Sequence, residues 1–569
     1  MALATERSSP ARQSALFVGA LLLVFGLAFV SRIAMLGAPP IYDELYQLVP
    51  ALSYHAGEGF SVLDGTYDRA SDFTRLIAAS FDLTGEPSWW AARLIPSVLP
   101  GVLLVVAIFA WAWHVDRRGT AVIVAVFLIL WPNGIEVSQY IRFYALHGLL
   151  FVLATMAVYA VFEEARTVAI RVGLLLGAGI LLAAAYRLQM LTLLGAGALG
   201  LWVAMAYGPR WLREIPWVKW AVLAAVVVVG GVLASGVLND TLGWLWTTYR
   251  WEPWPASGDT TFYHRDFRDN YPTFWPLFPV AALIALRVNF KPAFFCLVLF
   301  AVCFVLQTFG GLKNIRYLYP VMPFLFVIWG IALRAVISAV FGWLIETSRE
   351  AVSPLVAERW VRPVAWSGIV VALAFAFFAN AAFVRSVGLI AGLNDGELLG
   401  KVRWQWRSAE EVVTPWLERG ALVVTTEEMR AVEWLGDYDV GFNRPRFSEL
   451  LYSLGPDTQA FAADFRTGRP LTGDVGDIER LIACHPVGVV LADAPWARSG
   501  NALRLREAAQ LSGAEAVLSR HDGMAMLGWE REGGAIGCNA LAELEGSAAE
   551  RILSGARQPQ TLSSAKAER

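Results

Sequence analysis

Directly after the first long apolar run, the segment PPIYDELYQ (39–47) sets two carboxylates, Asp43 and Glu44, side by side. A carboxylate held at the edge of an apolar bundle can act as a general base and take the proton of an attacking hydroxyl. Inside a membrane span each acid would cost about 2.5–3.5 kcal/mol, so the pair belongs just beyond the span. A plainer account is that Asp43 is the N-cap of a helix beginning at Glu44, accepting backbone N–H groups and complementing the dipole. The second chemistry-bearing set is cationic. NGIEVSQYIRFYALH carries Arg142 among aromatics, AYRLQM carries Arg187, and GGLKNIRYLYP carries Lys313 and Arg316 three residues apart, followed by Tyr317. If that last segment is helical, the spacing puts both cations on one face. Such groups at headgroup depth suit an anion, and the phosphate of a lipid carrier fits. Snorkelling explains any one of them alone; four together favour function.

The elements that must position these residues follow from composition. With 57% hydrophobic and only 17% charged residues in 569, the chain reads as a polytopic α-helical membrane protein. Runs long enough to cross the hydrocarbon core fall near 14–37, 93–114, 119–132, 144–162, 168–185, 190–207, 217–238, 274–287, 292–309, 319–341 and 364–388, which makes about eleven spans. Basic loops at 114–119, 208–219, 287–291 and 348–362 put the N-terminus on the cytoplasmic side. Asp43, Glu44, the four cations and everything after about residue 389 are then extracytoplasmic. A near-neutral balance of 46 basic and 48 acidic residues gives no reason to expect nucleic acid as a partner. No Walker or GxGxxG loop and no zinc spacing occurs, which argues against direct use of ATP, a dinucleotide or zinc.

Three regions flank or follow the spans. In the first outer loop (38–92), Leu45, Leu48, Val49 and Leu52, and then Phe73, Leu76, Ile77 and Phe81, repeat at helical spacing, as in two short amphipathic helices lying on the membrane surface. From 390 to 554 the composition turns mixed. Runs at 421–428, 487–494 and 523–530 read as buried strands alternating with helix-period segments, hence an extracytoplasmic α/β domain. Residues 555–569 form a polar tail expected to be disordered. Cys484 and Cys538 fall in the outer domain, where a disulfide is permitted but two separate thiols are equally compatible; Cys296 and Cys303 sit in one span. The loop 251–275, with His264, is rich in aromatics and mixed charge, as either a substrate lid or an interfacial anchor would be.

The order YDE (42–44), WWAARLIPSVLPG (89–101), SQYIRFYAL (138–146) and KNIRYLYPVMP (313–323) resembles the GT-C membrane glycosyltransferases, in particular the branch of protein O-mannosyltransferases and lipid A aminoarabinose transferases. The resemblance covers most of residues 1–340, so that 1–389 would be the catalytic membrane domain. It implies inverting transfer of a sugar from a polyprenyl-phosphate-linked donor to a glycan, lipid or protein acceptor outside a bacterial-type inner membrane. Asp43 matches the acid taken as general base, with Glu44 orienting it or contacting the acceptor. Lys313 and Arg316, then Arg142 and Arg187, would hold the lipid phosphate. Tyr42, Arg93, His264 and Tyr317 would be substrate-contacting or structural, and Arg93 could brace Asp43. No cofactor is chemically required; a divalent metal at the carboxylates stays open, although further ligands are not evident. A flippase or transporter of a lipid-linked sugar is the competing function, and would carry internal repeats or broken spans. A non-catalytic assembly protein would not need eleven spans.

Overall fold

A computed structural model of the chain describes residues 10–217, 258–351, 361–393, 397–399, 401–402, 406–448 and 461–532, with isolated positions between 219 and 235. It divides into two compact units, residues 1–35 with 96–394, and residues 36–95 with 395–569. The first outer loop therefore groups with the C-terminal segment.

Among the described residues, seven helices are long and apolar enough to cross a membrane, and three bent pairs raise the number to ten. The span expected at 217–238 and the tail 555–569 lie outside the described residues. The first spanning helix is α1 (Pro10–Val30). Apolar helices are the natural solution here because lipid offers no hydrogen-bond partner for a free peptide group. The bends obey the same rule. Helix Arg118–Ile129 turns by 62° into Pro132–Ser138, where proline forbids continuation. The carbonyls freed there are taken by Arg32, whose Nη2 donates to Leu128 O at 3.1 Å, and by Ser386 Oγ, which donates to Leu130 O. The expected span at 364–388 is not one rod: Arg362–Phe378 turns by 89° into Ala381–Ile390. Asn380 stands at that corner, its Nδ2 donating to Ala376 O and Phe377 O while its Oδ1 accepts the N–H of Thr273 at 3.1 Å. Packing between spans uses small residues. A Cβ on Gly148 would lie 2.4 Å from the Tyr319 ring, and one on Gly330 would lie 2.5 Å from Val124.

In the second unit, a hairpin of β1 (Ser61–Val62) and β2 (Gly65–Thr66) joins helices α2 (Tyr42–His55) and α3 (Ser71–Thr84), followed by α4 (Trp89–Arg93). A small hairpin of β3 (Glu397–Leu398) and β4 (Lys401–Val402) precedes the main sheet. The sheet contains β5 (Leu422–Thr425), β6 (Val440–Phe442), β7 (Ala462–Ala463), β8 (Pro470–Thr472), β9 (Val487–Asp493), β10 (Glu515–His521) and β11 (Met524–Glu530), in the order β10-β11-β9-β5-β6-β8-β7. The centre β9-β5-β6-β8 is parallel and both edges are antiparallel. Alternation along the strands feeds two cores. Leu422, Val424 and Val490 face Ile478, Leu481 and Leu505, while Val423, Val489 and Leu491 face Val413 and Ala431. Helices on both faces make this the three-layered α/β arrangement that the apolar runs imply.

Candidate active site

Asp43 stands half-buried in the first turn of α2. The N-cap of that helix is Ile41, so the capping role offered for Asp43 is not the one observed. The reaching-back acid is Glu44, whose Oε2 accepts the Ile41 N–H at 2.8 Å. Glu44 is also the partner of Arg93. The guanidinium donates from Nη2 to Oε1 at 3.0 Å and to Oε2 at 3.1 Å, and from Nε to Oε1 at 3.2 Å. Arg93 Nη1 donates to Leu36 O and Ala38 O. Both side chains are 0% exposed. Glu44 is thus buried at the entrance of α2, joined to both Arg93 and the Ile41 N–H.

The other α2 side chains near Asp43 are fixed as well. Gln47 Oε1 accepts from Thr74 Oγ1 at 2.7 Å and its Nε2 donates to Arg69 O at 3.0 Å. Tyr42 and Tyr46, one turn apart, bring their hydroxyls within 2.8 Å of each other, and both donate to Glu428 Oε1. Arg446 Nη2 donates to Tyr42 OH at 3.1 Å and also to Tyr46 OH, while its Nη1 pairs with Glu428 and, at 3.3 Å, with Asp464. Burial pushes both hydroxyls above the ordinary tyrosine range, Tyr42 well above it, against the opposing pull of Arg446. The apolar stripes of α2 and α3 face into the protein: Leu45 and Leu48, and Phe73, Ile77 and Phe81, are buried. Asp43 is left half-buried among neighbours locked on every side, at the positive end of a helix, where negative charge is stabilised.

In the first unit, Arg316 is surrounded by tyrosines. Its Nη1 donates to Tyr140 OH at 2.9 Å, and its Cζ lies 5.2 Å from the Tyr144 ring and 5.8 Å from the Tyr140 and Tyr317 rings. Guanidinium groups are attracted to the faces of aromatic rings, so the cage fixes the direction of the Arg316 side chain. Lys313 is not on a shared helical face with Arg316. The helical turn is the short 3₁₀ segment Ile315–Leu318, capped by Asn314, whose Oδ1 accepts the Arg316 N–H at 3.1 Å, and Lys313 precedes the cap. Lys313 Nζ instead donates to Gln307 O, Thr308 O and Gly310 O at the end of helix Phe290–Phe309. There it satisfies the last carbonyls and complements the dipole. Arg142 is buried beside the Phe143 ring, and Arg187 is exposed in the last turn of Val168–Leu188. His264 lies on the helix Phe262–Asn270, where its Nδ1 accepts the indole N–H of Trp275 at 2.9 Å. Next to the cage, a small, partly open cavity of about 10 Å³, room for about one water, is lined by Tyr317, Phe151, Leu191, Leu194 and Val321, with His147 and Gln307 among its polar groups.

Among the described residues, no group of three or more His, Cys, Asp or Glu side chains is placed to hold a metal ion. Cys484 is in a disulfide, whereas Cys296 and Cys303 are free buried thiols; Cys538 lies outside the described residues. Tyr46, Tyr140, Tyr144, Glu428 and Arg446 were not singled out from the sequence. The tyrosines had a signal, since each pair sits at i, i+4 around an acid or a cation; Glu428 and Arg446 had none.

No family model matches the sequence, and no curated protein matches it. Solved structures do share its fold. ArnT from Cupriavidus metallidurans, bound to undecaprenyl phosphate, superposes with a TM-score of 0.55 at 15% identity, over 91% of this chain and 98% of that one. Its apo state gives the same TM-score over 92% of this chain. The archaeal oligosaccharyltransferase AglB from Archaeoglobus fulgidus, in complex with an inhibitory peptide and a dolichol-phosphate, gives 0.53 at 11% identity, over 93% of this chain and 75% of that one. The fold is thus the one seen in ArnT and AglB, a polytopic helical body with an α/β sheet region in its C-terminal part.

Proposed function

We propose that this protein is a glycosyltransferase that moves a sugar from a polyprenyl-phosphate carrier to a hydroxyl-bearing acceptor on the extracytoplasmic side of a bacterial-type inner membrane. The observation that carries the reading is the breadth of the fold match: almost the whole of a chain solved with undecaprenyl phosphate bound has its counterpart here. In the proposed step the acceptor hydroxyl attacks the anomeric carbon from the face opposite the phosphate. Asp43 takes the hydroxyl proton, the C1–O bond to phosphate breaks, and the electron pair leaves with the phosphate, so that the product is inverted. Positive charge grows at the anomeric centre and negative charge at the departing oxygen, and each needs a fixed opposite charge in a water-poor site.

Arg316 is the first cation for that phosphate, because its tyrosine cage pre-orients the guanidinium fork. Lys313 would join it by releasing helix-end carbonyls that it now holds, with Arg142 and Arg187 as further anion contacts. A glycan, lipid or protein acceptor is equally compatible with this chemistry.

Three broken helix pairs lend a transporter of lipid-linked sugar some support, since such breaks line substrate paths in transporters. Here the carbonyls freed at two of them are taken by Arg32, Ser386 and Asn380. The two readings part in one experiment. Purified protein in vesicles is given undecaprenyl phosphate carrying radiolabelled mannose, glucose, galactose or arabinose, with envelope extract as acceptor. Transfer of label from lipid to acceptor is expected with one of these donors; movement of intact donor across the bilayer without cleavage would overturn the transferase reading.

A further inference from the structure

Buried charges are an expensive way to hold a domain together. Glu428 is 2% and Arg446 8% exposed, and an apolar pair of similar volume would give equal or better stability. What such a pair supplies is direction, and here the direction is toward α2. Its two partners there, Tyr42 and Tyr46, stand at positions i−1 and i+3 relative to Asp43. The same C-terminal segment grips the neighbouring hairpin. Asp64 N–H donates to Thr467 O at 3.0 Å, and Arg469 Nη1 donates to Asp64 Oδ2 at 2.6 Å. Gly65 and Gly468 let the two backbones touch, since a Cβ on Gly65 would lie 2.6 Å from the Arg466 backbone and one on Gly468, at φ +69°, 2.6 Å from that of Asp64. Glu44 anchored to Arg93 and Gln47 to Thr74 hold the rest of α2, which leaves its rotation about its axis to be set together with the Tyr42 and Tyr46 contacts.

We propose that the C-terminal α/β domain is the positioning frame of the reaction: the Arg446–Glu428 pair, acting through the hydroxyls of Tyr42 and Tyr46, sets the angle at which Asp43 meets the acceptor hydroxyl. Glu428, Arg446, Tyr42 and Tyr46 are positioning residues. The proposal rests on the base role of Asp43. A side chain about 5–6 Å from a helix axis moves by about 1 Å when the helix turns by about 10°. Misplacement by about 1 Å can lower a rate by about 100-fold.

The test uses full-length purified protein and the undecaprenyl-phosphate sugar donors above, with Asp43→Asn as reference. Tyr42→Phe/Tyr46→Phe removes only the two hydroxyls. It is expected to lower kcat by about 10- to 100-fold while KM for the donor stays unchanged. Glu428→Gln, which still accepts both hydroxyls, is expected to keep kcat within a few-fold of wild type, whereas Glu428→Leu falls with the tyrosine double variant. A frame that only stabilises the fold would reduce the yield of folded protein and leave kcat per folded molecule unchanged. If Glu428→Leu does not fold, the tyrosine variant decides. Inactive Asp43→Asn with wild-type kcat in Tyr42→Phe/Tyr46→Phe overturns the positioning role and leaves the base role standing. Wild-type turnover in Asp43→Asn overturns the base role itself.

Discussion

Substituting Glu44 by Gln tests how firmly the entrance to α2 is held. The change keeps the side-chain shape and an acceptor for the Ile41 N–H, and removes the charge facing Arg93. Arg93 then remains 0% exposed with an unpaired cation, held only by Leu36 O and Ala38 O. Breaking a buried pair from one side costs about 3–5 kcal/mol, because the surviving charge stays desolvated. That energy sets local opening rather than a single global transition, since a large membrane protein does not unfold in two states. Hydrogen exchange of purified protein in detergent reads it directly: amides of residues 41–48 are expected to exchange about 150- to 5,000-fold faster in Glu44→Gln, with the strands β5 and β9 unchanged. Glu44→Leu/Arg93→Met, which removes both charges, is expected to restore most of the protection. Unchanged exchange in Glu44→Gln would refute the reasoning, as it would mean that the pair is solvated or energetically idle.

Other expectations follow from single contacts. Arg316→Ala removes the caged guanidinium, and binding of undecaprenyl phosphate, measured by isothermal titration in detergent, should weaken by about 10- to 100-fold, the worth of one charge-assisted contact. Gly148→Val forces its side chain into the Tyr319 ring and should cost about 1–3 kcal/mol, seen as a lower thermal midpoint. Non-reducing peptide mapping should link the Cys484 peptide to that of Cys538, with Cys296 and Cys303 alkylated only after denaturation. The hydroxyls of Tyr42 and Tyr46 titrate higher in the fold than in the unfolded chain, so their contribution is complete below about pH 10 and is lost as pH rises beyond it. Unfolding of the second unit, followed by hydrogen exchange at pH 9 and pH 11, should show that loss in wild type and less of it in Tyr42→Phe/Tyr46→Phe.

What could be read in advance divides along physical lines. Spans are legible because a lipid-exposed helix must be apolar for its whole length, and ten expected runs coincide with helices or bent pairs. The bend at Asn380 is not legible, because one polar residue in an apolar run reads the same whether it corners the chain or faces a neighbour; the pairing with Thr273, 107 residues away, decides it. Strands β5, β9 and β11 announce themselves as continuous apolar runs buried on both faces, while β6 and β8 are too short to carry a pattern. In the candidate site, the paired acids drew attention to Asp43. Which acid is locked away depends on Arg93, 49 residues on, and the grip on Tyr42 comes from a carboxylate 386 residues on. Neither separation leaves a local trace. The Lys313–Arg316 spacing suggested a shared helical face because spacing alone is blind to the Asn314 cap that starts the turn between them.

Proton abstraction by Asp43 in sugar transfer is read from the turnover of Asp43→Asn. With the undecaprenyl-phosphate donor that wild type uses, the variant is expected to bind donor with unchanged affinity and to lose at least about 100-fold in kcat, the range of a general base. Transfer at the wild-type rate by Asp43→Asn would contradict the account.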